Sequence, residues 1–92
     1  MEQITDKMTL KIFEGQCPRG FEPDLFDKAE TMLCDVVAAT SLESLNATPG
    51  RRLEKLPEFG KNVRSIRINR KWRIMFEWVD GKAYRIKVVK HR

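Results

Sequence analysis

The sequence predicts an α+β fold in which two or three N-terminal helices pack on one face of a small, mainly antiparallel sheet. Three observations carry this expectation. From Arg64 onward, apolar and polar residues alternate at period two, as in strands with one face buried and one wet. Between Leu25 and Val37, apolar residues recur at spacings of three and four, as on a helix docked by one stripe. Helices precede the run of strands rather than alternating with them, which favours an antiparallel sheet with one open face.

In chain order, Glu2–Gln3–Ile4–Thr5 reads as a short strand. Asp6 is the expected N-cap of a first helix that runs to about Glu14, with Gly15 as its stop. Met8, Ile12 and Phe13 share one face of it. Pro23 and Asp24 suit the first turn of the second helix, which carries Leu25, Phe26, Ala29, Met32, Leu33, Val36 and Val37 and ends near Ala39. Thr40–Ser41–Leu42–Glu43 has the form of a capping box opening a short third helix, with Leu42 and Leu45 inward. Arg52–Leu53–Glu54–Lys55–Leu56 reads as a short strand, and Pro57 to Asn62 as a loop.

The strands then fold back on one another. Ile66 and Ile68 must share a buried face with Trp72, Ile74, Phe76 and Trp78. The three-residue loop Asn69–Arg70–Lys71 achieves this, setting Ile68 opposite Trp72 and Arg67 opposite Arg73. The last strand alternates Tyr84, Ile86 and Val88 with Arg85, Lys87 and Val89. A loop of Val79–Asp80–Gly81, with Gly81 left-handed, keeps the faces matched. It places Trp78 opposite Lys82, Phe76 opposite Tyr84, and Arg73 opposite Lys87. Arg67, Arg73 and Lys87 then form a row of cations, which costs up to about 1 kcal/mol per pair unless an anion is bound there. The other even register sets Val79 opposite Ala83, Arg73 against Val89 and Arg85 against Glu77, and breaks the row.

Ninety-two residues, 41% hydrophobic and 34% charged, describe one ordinary globular domain spanning residues 1–92. No apolar run approaches the roughly 18 residues that cross a bilayer, and no signal peptide opens the chain, so a cytoplasmic location away from membranes is expected. Cys17 and Cys34 form no CxxC pair and His91 is the single histidine, so free thiols are expected and a zinc site is not. No phosphate loop, dinucleotide fingerprint or metal-ligand cluster is present, so no cofactor and no metal are expected. The net charge of +5 is unevenly distributed: residues 1–50 carry −5 and residues 51–92 carry +10. A basic strand region suits either a nucleic-acid-facing sheet or a solvated face paired with the acidic helices.

The runs Ala38–Ala39–Thr40–Ser41–Leu42, Leu45–Asn46–Ala47–Thr48–Pro49–Gly50–Arg51–Arg52–Leu53–Glu54–Lys55–Leu56, Ser65–Ile66–Arg67–Ile68–Asn69 and Trp72–Arg73–Ile74–Met75–Phe76–Glu77–Trp78 resemble the HigB-type toxins, the plasmid maintenance killer branch of the RelE superfamily. The resemblance implies a RelE-like toxin fold and ribosome-dependent cleavage of mRNA leading to growth arrest in a bacterial cytoplasm. It also implies neutralisation by a HigA-like helix-turn-helix antitoxin, with operator DNA reached only through the antitoxin complex. The resemblance implies that Arg73, in the W-R-I motif, faces the scissile phosphate, and the first-hairpin register sets Arg67 beside it. Cleavage by the neighbouring 2′-hydroxyl needs a base, cations for the phosphorane and an acid for the leaving oxygen. The unperturbed pKa of histidine suits acid–base work, so His91 is a candidate general acid or base, and Lys61, which matches a family lysine in the 57–62 loop, is a further catalytic candidate. Lys87, Arg85, Arg64, Arg70, Lys71, Lys90 and Arg92 are expected to contact RNA or the ribosome.

The chain departs from the family pattern at two places. Lys90–His91–Arg92 replaces an Asp-Tyr-His tail, and Pro57 and Gly60 replace a lysine and an arginine in the loop. A catalytically weakened domain that binds its antitoxin without cutting RNA is therefore the competing reading. A third, a sheet that stacks bases, is disfavoured because Trp72, Phe76, Trp78 and Tyr84 fall on the apolar face.

Overall fold

The computed structural model describes residues 3–47 and 50–90. Three helices, α1 (Lys7–Phe13), α2 (Pro23–Ala38) and α3 (Leu42–Asn46), precede four strands, β1 (Glu54–Lys55), β2 (Val63–Arg67), β3 (Trp72–Val79) and β4 (Lys82–Lys90). The strands form one antiparallel sheet in the order β1-β2-β3-β4. Of the N-terminal strand, a single parallel bridge from Ile4 to Ile86 forms against β4; Glu2 lies outside the described residues.

Helix ends follow local chemistry. The Asp6 carboxylate accepts from the Thr9 backbone N–H at 3.0 Å and caps α1, as expected. The Thr9 hydroxyl donates to the same carboxylate at 2.7 Å and accepts from the Val88 N–H at 2.8 Å, so a buried threonine ties α1 to β4. The third helix is capped one residue later than expected. Ser41, not Thr40, accepts from the Ser44 N–H, because Ser41 takes the extended conformation that an N-cap needs. Arg51 pairs with Asp35, fastening the approach to β1 onto α2.

The core lies between helices and sheet. Ile66, Ile74, Phe76, Ile86 and Val88 from the strands join Ile12, Ala29, Leu33 and Val36 from α1 and α2 in one buried cluster. Burial of each large side chain contributes about 1.5–3 kcal/mol.

The first hairpin has the expected register. Arg67 lies opposite Arg73, and Ile68 N–H donates to the Trp72 carbonyl at 3.0 Å. Asn69 builds the turn: its side-chain oxygen accepts from Lys71 and Trp72 N–H at 2.8 and 2.9 Å.

The second hairpin departs from both expected registers near its turn and takes the second of them, Arg73 against Val89, only farther along the strands. Val79 pairs with Lys82, Trp78 with Ala83 and Glu77 with Tyr84, so the turn is the two residues Asp80 and Gly81. Both have positive φ, 50° and 78°, the primed geometry whose twist matches the flanking strands. That turn alone would put Arg85 on the core side. A bulge prevents it: between the pairs Glu77–Tyr84 and Met75–Lys87, Phe76 faces two residues, Arg85 and Ile86. Arg85 takes up the extra length at φ 51° and remains exposed. Beyond the bulge, Arg73 faces Val89 rather than Lys87, so the row of three cations does not form. Tyr84 moves with the register: it pairs with Glu77 on the open side, half-buried, and Ala83 takes the core position.

A left-handed non-glycine residue costs about 1–2 kcal/mol. Arg85→Gly is therefore expected to leave thermal stability equal or higher, and Arg85→Val, β-branched at the same φ, to lower it by about 1–2 kcal/mol. Equal melting of all three proteins would contradict the bulge.

Candidate functional site

Even-numbered residues of β3 point into the core, and Arg73 and Met75 face the other way. There an open groove of about 660 Å³ is lined by Glu54, Leu56, Glu58, Phe59, Arg73, Met75, Lys87, Val89 and Lys90. Register explains how Arg73 enters it. Ser65 of β2 pairs with Met75 on one side and Glu54 on the other. The Arg73 side chain runs diagonally across β2, donating to Ser65 Oγ at 3.1 Å and to Glu54 Oε1 at 3.1 Å. Only a small residue at position 65 allows this crossing. The contact leaves Ser65 fully buried on the open face and the Arg73 side chain only 11% exposed. Arg73 is thus a positioned guanidinium backed by a carboxylate, not the plain wet-face arginine that alternation suggests.

The other expected residues separate into those that share this groove and those that do not. Lys87 is diagonal to Arg73, one pair along at Met75, and Lys90 lies with its ammonium 5.7 Å from the Trp72 ring centre; both line the groove. Arg67 sits opposite Arg73 along the backbone, but its Nε donates to the Asn69 carbonyl at 3.2 Å. It lines a separate recess with Asp27, Thr31 and Arg51, so the two like-charged side chains diverge. Arg85 lines a smaller recess of about 150 Å³ that shares Phe59, Met75 and Lys87 with the groove. Arg64 folds back onto the Val63 carbonyl at 3.2 Å. Lys61 and Arg70 are exposed on turns, and Lys71 stands 3.7 Å from Glu22. His91 and Arg92 lie outside the described residues.

Glu54 and Ser65 are the residues that sequence reasoning missed. Glu54 belongs to the Arg52–Leu53–Glu54 run, but β1 is two residues long, too short for alternation to assign a face. Three cations with two carboxylates, Glu54 and Glu58, can hold an anion and accept a proton from a neighbouring hydroxyl.

Among the described residues, no group of three or more His, Cys, Asp or Glu could hold a metal ion, and no helix is long and apolar enough to cross a membrane. Both cysteines are exposed and unpaired. Partial desolvation, then the charges of Glu30 and Asp35, hold the Cys34 thiol above its ordinary range.

Three helices packed with a four-stranded antiparallel sheet are consistent with a RelE-like toxin fold. The family described as the RelE-like toxin of type II toxin–antitoxin system HigB matches residues 2–91, and the chain belongs to it. It is similar to Toxin HigB-1 of Vibrio cholerae serotype O1, with 36% identity over 82 residues, covering 88% of this chain and 86% of that protein. Membership in a toxin–antitoxin family implies an antitoxin as partner.

Two outcomes follow from the site geometry. Arg73→Lys keeps the charge but cannot make the forked contact to Ser65 and Glu54, so urea unfolding is expected to show a loss of about 1 kcal/mol. An unchanged midpoint would mean the bridge carries no stability. Alkylation of Cys34 at about pH 8 is expected to run slower in the folded protein than in the urea-unfolded chain, because less thiolate is present. Equal rates would contradict the raised pKa.

Proposed function

We propose that this toxin is a ribosome-dependent mRNA endoribonuclease and that the open-face groove is where it cuts. The observation that supports this best is Arg73, buried to 11% exposure and braced by Ser65 and Glu54 in a cationic groove. Burying a guanidinium on an otherwise wet face serves stability poorly. It serves an anion well, because the donors are already oriented when charge develops on it.

In this reading the scissile phosphate competes with Glu54 for the Arg73 guanidinium. The carboxylate so displaced lies beside the reacting centre and takes the proton from the 2′-hydroxyl. That oxygen attacks phosphorus through a pentavalent phosphorane, whose charge Arg73 and Lys87 stabilise. The P–O5′ bond breaks, leaving a 2′,3′-cyclic phosphate and a 5′-hydroxyl. His91, which directly follows the groove residue Lys90 in the chain, protonates the leaving oxygen. No step needs a metal ion. Lys90, Arg85, Arg64, Lys61, Arg70, Lys71 and Arg92 contact the RNA backbone or ribosomal RNA, and Arg67 supports the site from the neighbouring recess. The ribosome supplies the mRNA in an extended conformation, in the bacterial cytoplasm. The antitoxin is a HigA-like helix-turn-helix protein, and operator DNA is met only through the complex.

Induced expression in a bacterium, with mRNA 5′ ends mapped, tests this. Wild type is expected to arrest growth and produce new 5′ ends, and Arg73→Ala, checked for folding, to reduce cleavage about 10²–10³-fold. A folded, well-expressed wild type that produces no new ends, yet binds an antitoxin, would replace the nuclease with an antitoxin-binding domain.

A further inference from the structure

Among the described residues, Phe59 is the exposed large apolar side chain, with 64% of its surface in water. Its exposure is built in. The loop that carries it closes on itself: Leu56 N–H donates to the Val63 carbonyl at 3.0 Å and Phe59 N–H to the Leu56 carbonyl at 3.0 Å. Gly60 N–H reaches the Pro57 carbonyl at 3.2 Å and Val63 N–H the Gly60 carbonyl at 3.3 Å. Gly60 sits at φ 149°, and a Cβ there would meet Val63 Cγ2 at 3.0 Å, so the loop is wound tightly against β2. The loop's backbone is ordered before any partner arrives and already presents the ring to solvent, which lowers the entropic cost of binding.

The position of the ring indicates what that partner is. Phe59 lines both the groove of Arg73, Lys87 and Lys90 and the recess of Arg85 and Glu77. Around the ring, the groove sets Leu56, Met75 and Val89 beside the cations Arg73, Lys87 and Lys90 and the carboxylates Glu54 and Glu58, a mixed lining that fits an amphipathic ligand better than a purely apolar protein patch. It suits a nucleotide, which brings an anionic phosphate and a flat π-face together.

We propose that Phe59 is a stacking platform for an mRNA nucleobase flanking the phosphate held at Arg73. This rests on the nuclease reading above and adds a base-binding residue to it. The ring holds the neighbouring base in place, and Lys87 and Arg85 take the phosphates on either side of it. Phe59 touches the RNA but not the reacting atoms, so its contribution appears in substrate binding.

The test is single-turnover cleavage of ribosome-bound mRNA by wild type, Phe59→Ala, Phe59→Leu and Phe59→Trp, with melting temperatures measured alongside. A second readout is the fluorescence of 2-aminopurine placed beside the cut site. Stacking predicts that Ala and Leu each lose about tenfold in kcat/KM, mainly through KM, while Trp restores it. It also predicts quenching of 2-aminopurine by wild type and Trp but not by Ala or Leu, with melting unchanged throughout. Leu performing as well as wild type would overturn stacking in favour of plain apolar contact. Unchanged cleavage by Phe59→Ala, with weakened antitoxin binding, would overturn it in favour of a protein interface. If wild type binds ribosomes without cutting, the nuclease reading fails by itself. Quenching then still decides Phe59: its loss in the Ala variant supports the platform, and no quenching by wild type removes it.

Discussion

The central strand β3 has to serve two faces at once, and most of the molecule follows from that. Its even residues, Trp72, Ile74 and Phe76, are buried under the helices, while Arg73 and Met75 project into the open groove. A one-residue slip would exchange these roles, bury a guanidinium in the core and empty the groove. The Asn69 turn sets this parity toward β2. Toward β4 the preferred two-residue turn sets the wrong parity, and the bulge at Arg85 and Ile86 restores it.

The groove depends on small choices along the neighbouring strands. Arg73 reaches Glu54 because a serine lies between them on β2, and because β1, although only two residues long, presents Glu54 to that serine. The carboxylate gives the guanidinium a partner in the free protein without occupying the rest of the groove. Charge is thereby stored in an oriented form that an incoming anion can take over. Like-charge repulsion is handled by direction: Arg67 turns toward the Asn69 carbonyl, and Arg73 turns toward Glu54.

Much of this could be read from sequence, and the misses share a cause. The Asp6 cap, the α2 stripe and the first hairpin rest on neighbours within a few residues, and local chemistry decided each. The second hairpin set two local rules in conflict: Asp80–Gly81 asks for a two-residue turn, and alternation asks for an odd loop. The chain keeps both by inserting a bulge, which leaves no mark in composition. The same bulge moves Tyr84 to the open face. Glu54 carries no local signal, because its role exists only through a contact 19 positions away, to Arg73. Phe59 carries none either, because nothing in a sequence shows that a loop phenylalanine stays in water.

The most direct test is a structure of the toxin on a ribosome carrying mRNA with a 2′-O-methyl group at the cut site, which blocks attack. The account predicts the scissile phosphate in the open-face groove, about 3 Å from the Arg73 guanidinium, with the Glu54 carboxylate displaced from it and turned toward the blocked oxygen. A phosphate bound instead in the recess of Arg67 and Arg51, with the Arg73–Glu54 pair intact, would contradict it.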